Sequence, residues 1–389
     1  MNRKSFLTFA AVTVVVAAAA IAVGYSNLPA PPPRAGEKMF PQFEQQMAAI
    51  QSLTVMQSGK TVTVNRTADG WVIADKNNFP AQSDLVRRAA VAVAEMRTFE
   101  PKTVEAARYD KLQVEDPAGK EAKSKLLTFK DKDGKVLASI IVGRANTNAP
   151  AGQERVYVRK PDDKQSWLAT GDPGVKSDVS DWMDKAIVDL KAERIEEVTL
   201  TKAAGDTLTV SKAKADDKDF AVANVPEGRK AKEPRVVGAV AGALEDASAE
   251  DAKPIGEVDF TKNKKGQAVL KTFDGITVTV DMIEFEKPGQ QDKAEKDREK
   301  ETWAKISASF DEAQALKEKP KDSKLLLSAE AKAQVESINK RSKDWAYRLN
   351  RNAERYLAFV LEDLLEEKKE EKKEEKKDEK KEENKDEKK

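Results

Sequence analysis

The chain has 389 residues, of which 69 are Lys or Arg and 68 are Asp or Glu, a formal charge of +1. That balance excludes a strongly basic nucleic-acid binder, and the length suits two to three domains at roughly 150 residues each. Cysteine and histidine are absent, which excludes Cys–His and Ser–His–Asp catalysis, thiolate or imidazole metal sites, c-type haem attachment and a disulfide framework.

The first element is an uncharged run from Phe6 to Val23, FLTFAAVTVVVAAAAIAV, preceded by Arg3 and Lys4. As a helix it rises about 27 Å, near the minimum for spanning a bilayer. The basic flank puts residue 1 in the cytoplasm and the bulk of the chain outside. Residues 1–25 are therefore expected to form a transmembrane signal anchor. A cleaved signal peptide is the alternative, since Ala20-Ile21-Ala22 fits the small-x-small pattern, but the run exceeds the usual apolar region of one. No Cys follows it, so lipid attachment there is excluded. Residues 26–48, with Pro29 and Pro31 to Pro33, read as an extended spacer.

Two α+β modules are expected next, over 49–193 and 194–365. Each opens with a hairpin of alternating apolar residues: Leu53, Val55, then Val62, Val64 around Gly59, and Val198, Leu200, then Leu208, Val210 around Gly205. The triplet Asn65-Arg66-Thr67 matches a glycosylation acceptor, but reads better as part of a strand. Trp71-Val72-Ile73 and Phe220-Ala221-Val222 supply a third strand. A helix follows each, over about 83–98 with Leu85, Ala89, Ala92 and Met96 on one face, and over about 234–246 with Val237, Val240, Ala241 and Leu244. A second hairpin turns at Gly134 or Gly275, and strands follow at Arg155–Arg159 and Glu301–Phe310. Each module closes with a Trp and an amphipathic helix, VSDWMDKAIVDL after Trp167 and ERYLAFVLEDLL after Trp345. The second carries extra helical sequence near 311–341, where Ala331, Val335 and Ile338 form one stripe. Two copies of this length read as duplicated domains.

The last segment, 366–389, holds 12 acids and 11 Lys. Its EEKK repeat places like charges four apart, which disfavours a helix, so a disordered, solubilising tail is expected.

The stretch from Tyr109 to Gly143 carries a pattern: Tyr109, Leu112, Asp116-Pro117, a strand, Gly134-Lys135, then a strand ending Val142-Gly143. With Trp71, Pro80 and Trp345-x-Tyr347, it resembles the bacterial family called domain of unknown function 4340, over about residues 50 to 365. Lys111 stands where that pattern has Gly, and the second half lacks a clear Tyr…Leu…Asp-Pro segment. The resemblance implies a membrane-anchored, repeated extracytoplasmic module, of a kind often encoded beside ABC-type transporters, which makes transporter subunits the expected partner. It assigns no catalytic residue.

Candidate chemistry is sparse. Phosphate-binding glycine motifs are missing. Glu115-Asp116 and Asp162-Asp163 lie in turn contexts where Asp bonds its own backbone. Asp131-x-Asp133-Gly134 opens like a calcium loop, but Val142 stands where the closing Glu is required. Gly238 and Gly242 suit close packing of a helix on a sheet. Of the five tryptophans, Trp182 is expected to be partly exposed, beside Asp181 and Asp184. Trp182, Val335 and Ile338 are the candidate partner surface. No catalytic, metal or cofactor site is expected, and no nucleic-acid partner. The expected fold is thus α+β, two duplicated modules of antiparallel hairpins with packed helices after a transmembrane helix. The expected protein is a single-pass bacterial inner-membrane protein, its bulk periplasmic, acting as an accessory or scaffold subunit of a membrane assembly such as an ABC transporter. The alternative is an extracytoplasmic module that binds cell-wall glycan or peptide.

Overall fold

The computed structural model describes residues 36–367 apart from 150–152, 288, 291, 295–296, 315, 317 and 319–322. The expected anchor (Phe6–Val23), the first part of the spacer and the tail beyond Glu367 lie outside the described residues. Among the described residues no helix is long and apolar enough to cross a membrane. The chain forms two compact units. One runs to Ala74 and resumes over Ala81–Trp182; the other comprises Asp75–Pro80 and the chain from Met183 onward.

In the first unit, β1 (Ser52–Gln57) and β2 (Lys60–Thr67) form the opening hairpin, with Gly59 at φ +71 in its turn. Leu53, Val55, Val62 and Val64 are all buried, as period-two alternation requires. β3 (Gly70–Ile73) follows, then helix α1 (Ser83–Glu95), then β4 (Arg97–Pro101). The second hairpin is β5 (Lys125–Lys130) and β6 (Val136–Ala145), followed by β7 (Arg155–Arg159) and β8 (Ser166–Thr170). Eight of the nine strands of this sheet lie in the order β3-β2-β1-β5-β6-β7-β8-β4, paired antiparallel. The buried face of α1 is Val86, Ala89, Ala90, Val93 and Ala94. It is rotated from the expected stripe, of which Leu85 and Ala92 are only half-buried. So many alanines leave the stripe degenerate, and the branched Val86 and Val93 decide which face goes inward.

The sheet of the second unit, also of nine strands, repeats the order of these eight and adds an edge strand. Its strands are β9 (Ala186–Val188), β10 (Ile195–Lys202), β11 (Thr207–Ser211), β12 (Ala221–Val222), β13 (Ala247–Pro254), β14 (Lys264–Thr272), β15 (Ile276–Glu286), β16 (Lys300–Phe310) and β17 (Trp345–Leu349). They pair as β12-β11-β10-β14-β15-β16-β17-β13-β9. Helix α2 (Pro234–Ala241) and the 3-10 turn Gly242–Leu244 bury Val237, Val240, Ala241 and Leu244, the expected stripe. A Cβ at Gly238 would meet the Phe220 ring at 3.8 Å, while one at Gly242 would meet nothing, so only the first glycine faces a packed neighbour. Helices α3 (Ser328–Ser342) and α4 (Arg351–Leu357) complete the unit.

Two expectations are corrected here. VSDWMDKAIVDL is not a helix: only Val179–Trp182 is helical, and Ala186–Val188 is the edge strand β9. The helix stops at Trp182, Arg341 donates to the Asp184 carboxylate at 3.1 Å, and the strand with β-branched Ile187 and Val188 then pairs with β13. Likewise ERYLAFVLEDLL breaks into α4 and a 3-10 turn at Leu361–Leu364.

The segment 75–80 is a first-half sequence that belongs to the second unit. Lys76 pairs with Asp251 at 2.6 Å, and the Phe79 ring meets Trp345 edge-on at 4.8 Å and Tyr347 at 6.4 Å. The carbonyl of Pro80 accepts from Asp184 N at 2.9 Å. Phe79 is 2% exposed. Phe79→Ala is expected to cost about 3–5 kcal/mol. Amide exchange in native conditions should accelerate at 345–349 and stay unchanged at 52–57; uniform acceleration in both stretches would refute the assignment.

Candidate functional site

The stretch from Tyr109 to Gly143 is a folding device. The connection from β4 to β5 crosses the sheet face opposite α1, where Tyr109 and Val114 pack against Ile141 with Leu112, Leu126 and Tyr157 around them. Arg159, in register with Ile141, is buried under this segment. Its guanidinium stacks on the Tyr109 ring at 4.6 Å and donates to the carbonyls of Val114 (3.0 Å), Pro161 (3.1 Å) and Asp163 (3.1 Å). The Tyr109 hydroxyl donates to the Lys164 carbonyl. A cation with no carboxylate partner among the described residues is thus satisfied by carbonyl dipoles and an aromatic face. Gly143 lies where this segment presses on β6: a Cβ there would sit 2.3 Å from the Leu112 carbonyl oxygen.

Of the carboxylates singled out in turns, Glu115, Asp116 and Asp163 each bond backbone N–H groups close in sequence through one oxygen. Glu115 accepts the N–H groups of Lys123 (2.6 Å) and Ser124 (3.0 Å), Asp116 that of Ala118, and Asp163 that of Gln165. Asp131 accepts from Asp133 N and Lys135 N at 2.9 Å each, a hairpin cap. Among the described residues no acidic group of three or more is placed to hold a metal ion.

Of the expected partner surface, Trp182 lies in the first unit and is 1% exposed, not partly exposed. Its indole N–H donates to the Lys176 carbonyl at 3.0 Å, and its own carbonyl accepts from Gln82 N. Satisfying that N–H inside the fold draws the whole ring inward, despite its acidic neighbours. Val335 and Ile338 lie on α3 in the second unit; Val335 is half-buried and Ile338 buried. The helix packs on β16 and is pinned by polar side chains. The Asn339 amide accepts from Ala308 N and donates to Ala308 O, both 2.8 Å, standing in for a neighbouring strand. Arg341 donates to the Ala186 carbonyl and Gln334 to that of Asp189, capping the edge strand β9. Gln334 in turn accepts from Arg194 at 2.8 Å. The Tyr347 hydroxyl donates to the Arg341 carbonyl at 2.7 Å.

Recesses open on both units. One of about 550 Å³ in the first is lined by Arg87, Arg88, Glu95, Glu154 and Asp172, a mixture of both signs. In the second, Ile187, Val188, Ile338 and Arg341 line one of about 480 Å³. Another of about 390 Å³ lies on the outer sheet face, lined by Thr201, Phe260, Lys264, Gln267, Asp281 and Lys305 among others. Sequence reasoning missed this last group, because only strand register brings it together: Thr201 opposes Gln267, Gln267 opposes Asp281, and Asp281 opposes Lys305.

Two antiparallel sheets with the same strand order, flanked by helices, define an α+β protein of two units. A family model described as a domain of unknown function, DUF4340, matches residues 71–270, just over half of the chain. The chain belongs to this family, and the match runs from β3 of the first unit into β14 of the second. No curated protein and no solved structure matches it.

Two consequences are measurable. Gly143→Ala is expected to lower stability by about 1–3 kcal/mol through overpacking, read as a lower urea midpoint with unchanged slope. Burial pushes the Tyr347 phenol above its ordinary value of 10.0. Above pH 10 the unfolded chain then releases this proton while the folded chain keeps it, so stability present at neutral pH falls as pH rises. Tyr347→Phe should lose about 1 kcal/mol at pH 7 for the missing hydrogen bond. Its stability should fall less steeply than that of the parent between pH 9 and 11; equal slopes would contradict the linkage.

Proposed function

We propose that the protein is a membrane-tethered, extracytoplasmic accessory or scaffold subunit, built from two copies of one α+β module and devoid of catalytic work. The tether is the uncharged run Phe6–Val23 behind Arg3 and Lys4. The modules are the two units with one strand order. The observation that carries the reading is how the family-motif residues are used. Tyr109, Asp116, Gly143 and the adjoining Arg159 are committed to holding a backbone segment on a sheet. Charged groups engaged on their own chain's backbone serve a rigid platform, and a platform repeated twice suits an assembly role. A multi-spanning transporter subunit of the ABC type is the partner that the family resemblance favours.

Crosslinked affinity purification of the full-length protein from its own membranes, read by mass spectrometry, tests this. Stoichiometric recovery of transporter subunits, together with an intact peptide covering Phe6–Val23, is the expected result. A processed N-terminus and recovery of abundant unrelated proteins alone would overturn both the tether and the accessory role.

A further inference from the structure

We propose that the recess on the outer face of the second sheet binds an acidic saccharide, with the carboxylate of the sugar held between Lys264 and Lys305 and the ring lying against Phe260. The inference is independent of membrane tethering and of any transporter partner.

The recess exists because the two units cover this face differently. In the first, the connection 102–124 spreads over it and packs Tyr109 and Val114 on Ile141. In the second, the connection 255–263 is far shorter. Its Ile255, Val258 and Phe260 pack against the cluster of Ile283, Trp303 and Ala346, with Lys253 over the Trp303 ring at 4.3 Å. The rows beyond are left open, and the space of about 390 Å³ falls within the range of small-ligand sites.

The chemistry around it is specific. Lys264 and Lys305 are exposed, and neither has an acidic partner among the described residues. They stand on β14 and β16, on either side of β15. Between them, Gln267 donates to Asp281 at 2.7 Å, which leaves the second carboxylate oxygen and the amide carbonyl as acceptors for hydroxyl donors. Thr201 closes the row. The next row continues as Thr199, Val269, Thr279 and Ser307 in register, hydroxyl-bearing at three of four places. An amide–carboxylate pair beside an aromatic ring is suited to vicinal hydroxyls and to the C–H face of a sugar ring, and the ammonium groups of Lys264 and Lys305 outnumber the single carboxylate of Asp281, which favours a ligand that carries negative charge.

An acidic peptide fits less well. Extended peptides add to free strand edges. β14 and β15 are paired on both sides along the recess, and β16 on the side that faces it, so no backbone edge is offered there.

The test is calorimetric titration of the full chain in detergent with trigalacturonate, beside maltotriose, hexaglutamate and inorganic phosphate. Saturable, salt-sensitive binding of trigalacturonate is expected, weakened about tenfold or more by the pair Lys264→Ala and Lys305→Ala. Phe260→Ala should weaken it too, and maltotriose should bind far more weakly. Both lysines are exposed, so the double variant should keep its far-UV spectrum and urea midpoint. Absence of saturable trigalacturonate binding, or binding unchanged in the lysine pair, would overturn the proposal. Equal binding of phosphate or of hexaglutamate would overturn the saccharide assignment and leave a general anion or peptide site instead.

Discussion

Much of the second unit hangs on one buried ion pair. Asp274, fully buried in the turn between β14 and β15, takes Nε of Arg194 at 2.8 Å and Nη2 at 3.0 Å, the Thr272 hydroxyl, and the Leu326 N–H at 2.7 Å. Burial of a lone carboxylate would cost several kcal/mol, and here four donors offset it. Geometry gives the pair its reach. Arg194 ends the turn that leads into β10 and donates from its third nitrogen, Nη1, to Gln334 on α3, while Leu326 lies just before that helix. One carboxylate thereby ties the hairpin, the first strand and the inserted helix into one arrangement. The first unit buries a guanidinium too, but Arg159 is satisfied by carbonyls and a tyrosine ring, with no carboxylate in the cage. The two sheets share an order of strands while their polar centres are built from different chemistry.

That difference explains what was legible in the sequence. Hairpins announce themselves by alternation and a turn glycine, so Leu53 to Val64 and Val198 to Val210 read directly as paired strands. The turn at Gly134 was equally plain, because Asp131 caps it by a local rule. The strands β4 and β13 gave no such signal. Arg97–Pro101 and Ala247–Pro254 carry polar residues, Pro and small side chains, and they become strands because they pair at the far side of their sheets. Tertiary pairing overrode weak local preference there.

The burial of Trp182 has a related cause. Trp182 sits between acids in sequence, yet a single indole N–H with a carbonyl partner is enough to keep it inside. The stripe of α3 was legible as Ala331, Val335 and Ile338, but not the use of its polar residues: Asn339, Gln334 and Arg341 spend hydrogen bonds on strand edges of their own unit. The row Thr201, Gln267, Asp281 and Lys305 is scattered over more than 100 residues of chain. Nothing local marks it, since its members become neighbours only through four strands in register.

The placement of 75–80 bears on how the chain is made. Phe79 leaves the ribosome long before Trp345 and Tyr347, the rings it will lie against. At the usual pace of synthesis that interval is roughly 10–50 s. The first sheet has all of its own strands well before then, while an apolar residue close to its third strand still lacks its aromatic partners. A nascent chain of this protein therefore carries an unsatisfied sticky point over that whole interval, and closure around Phe79 waits for Trp345 and Tyr347 to emerge.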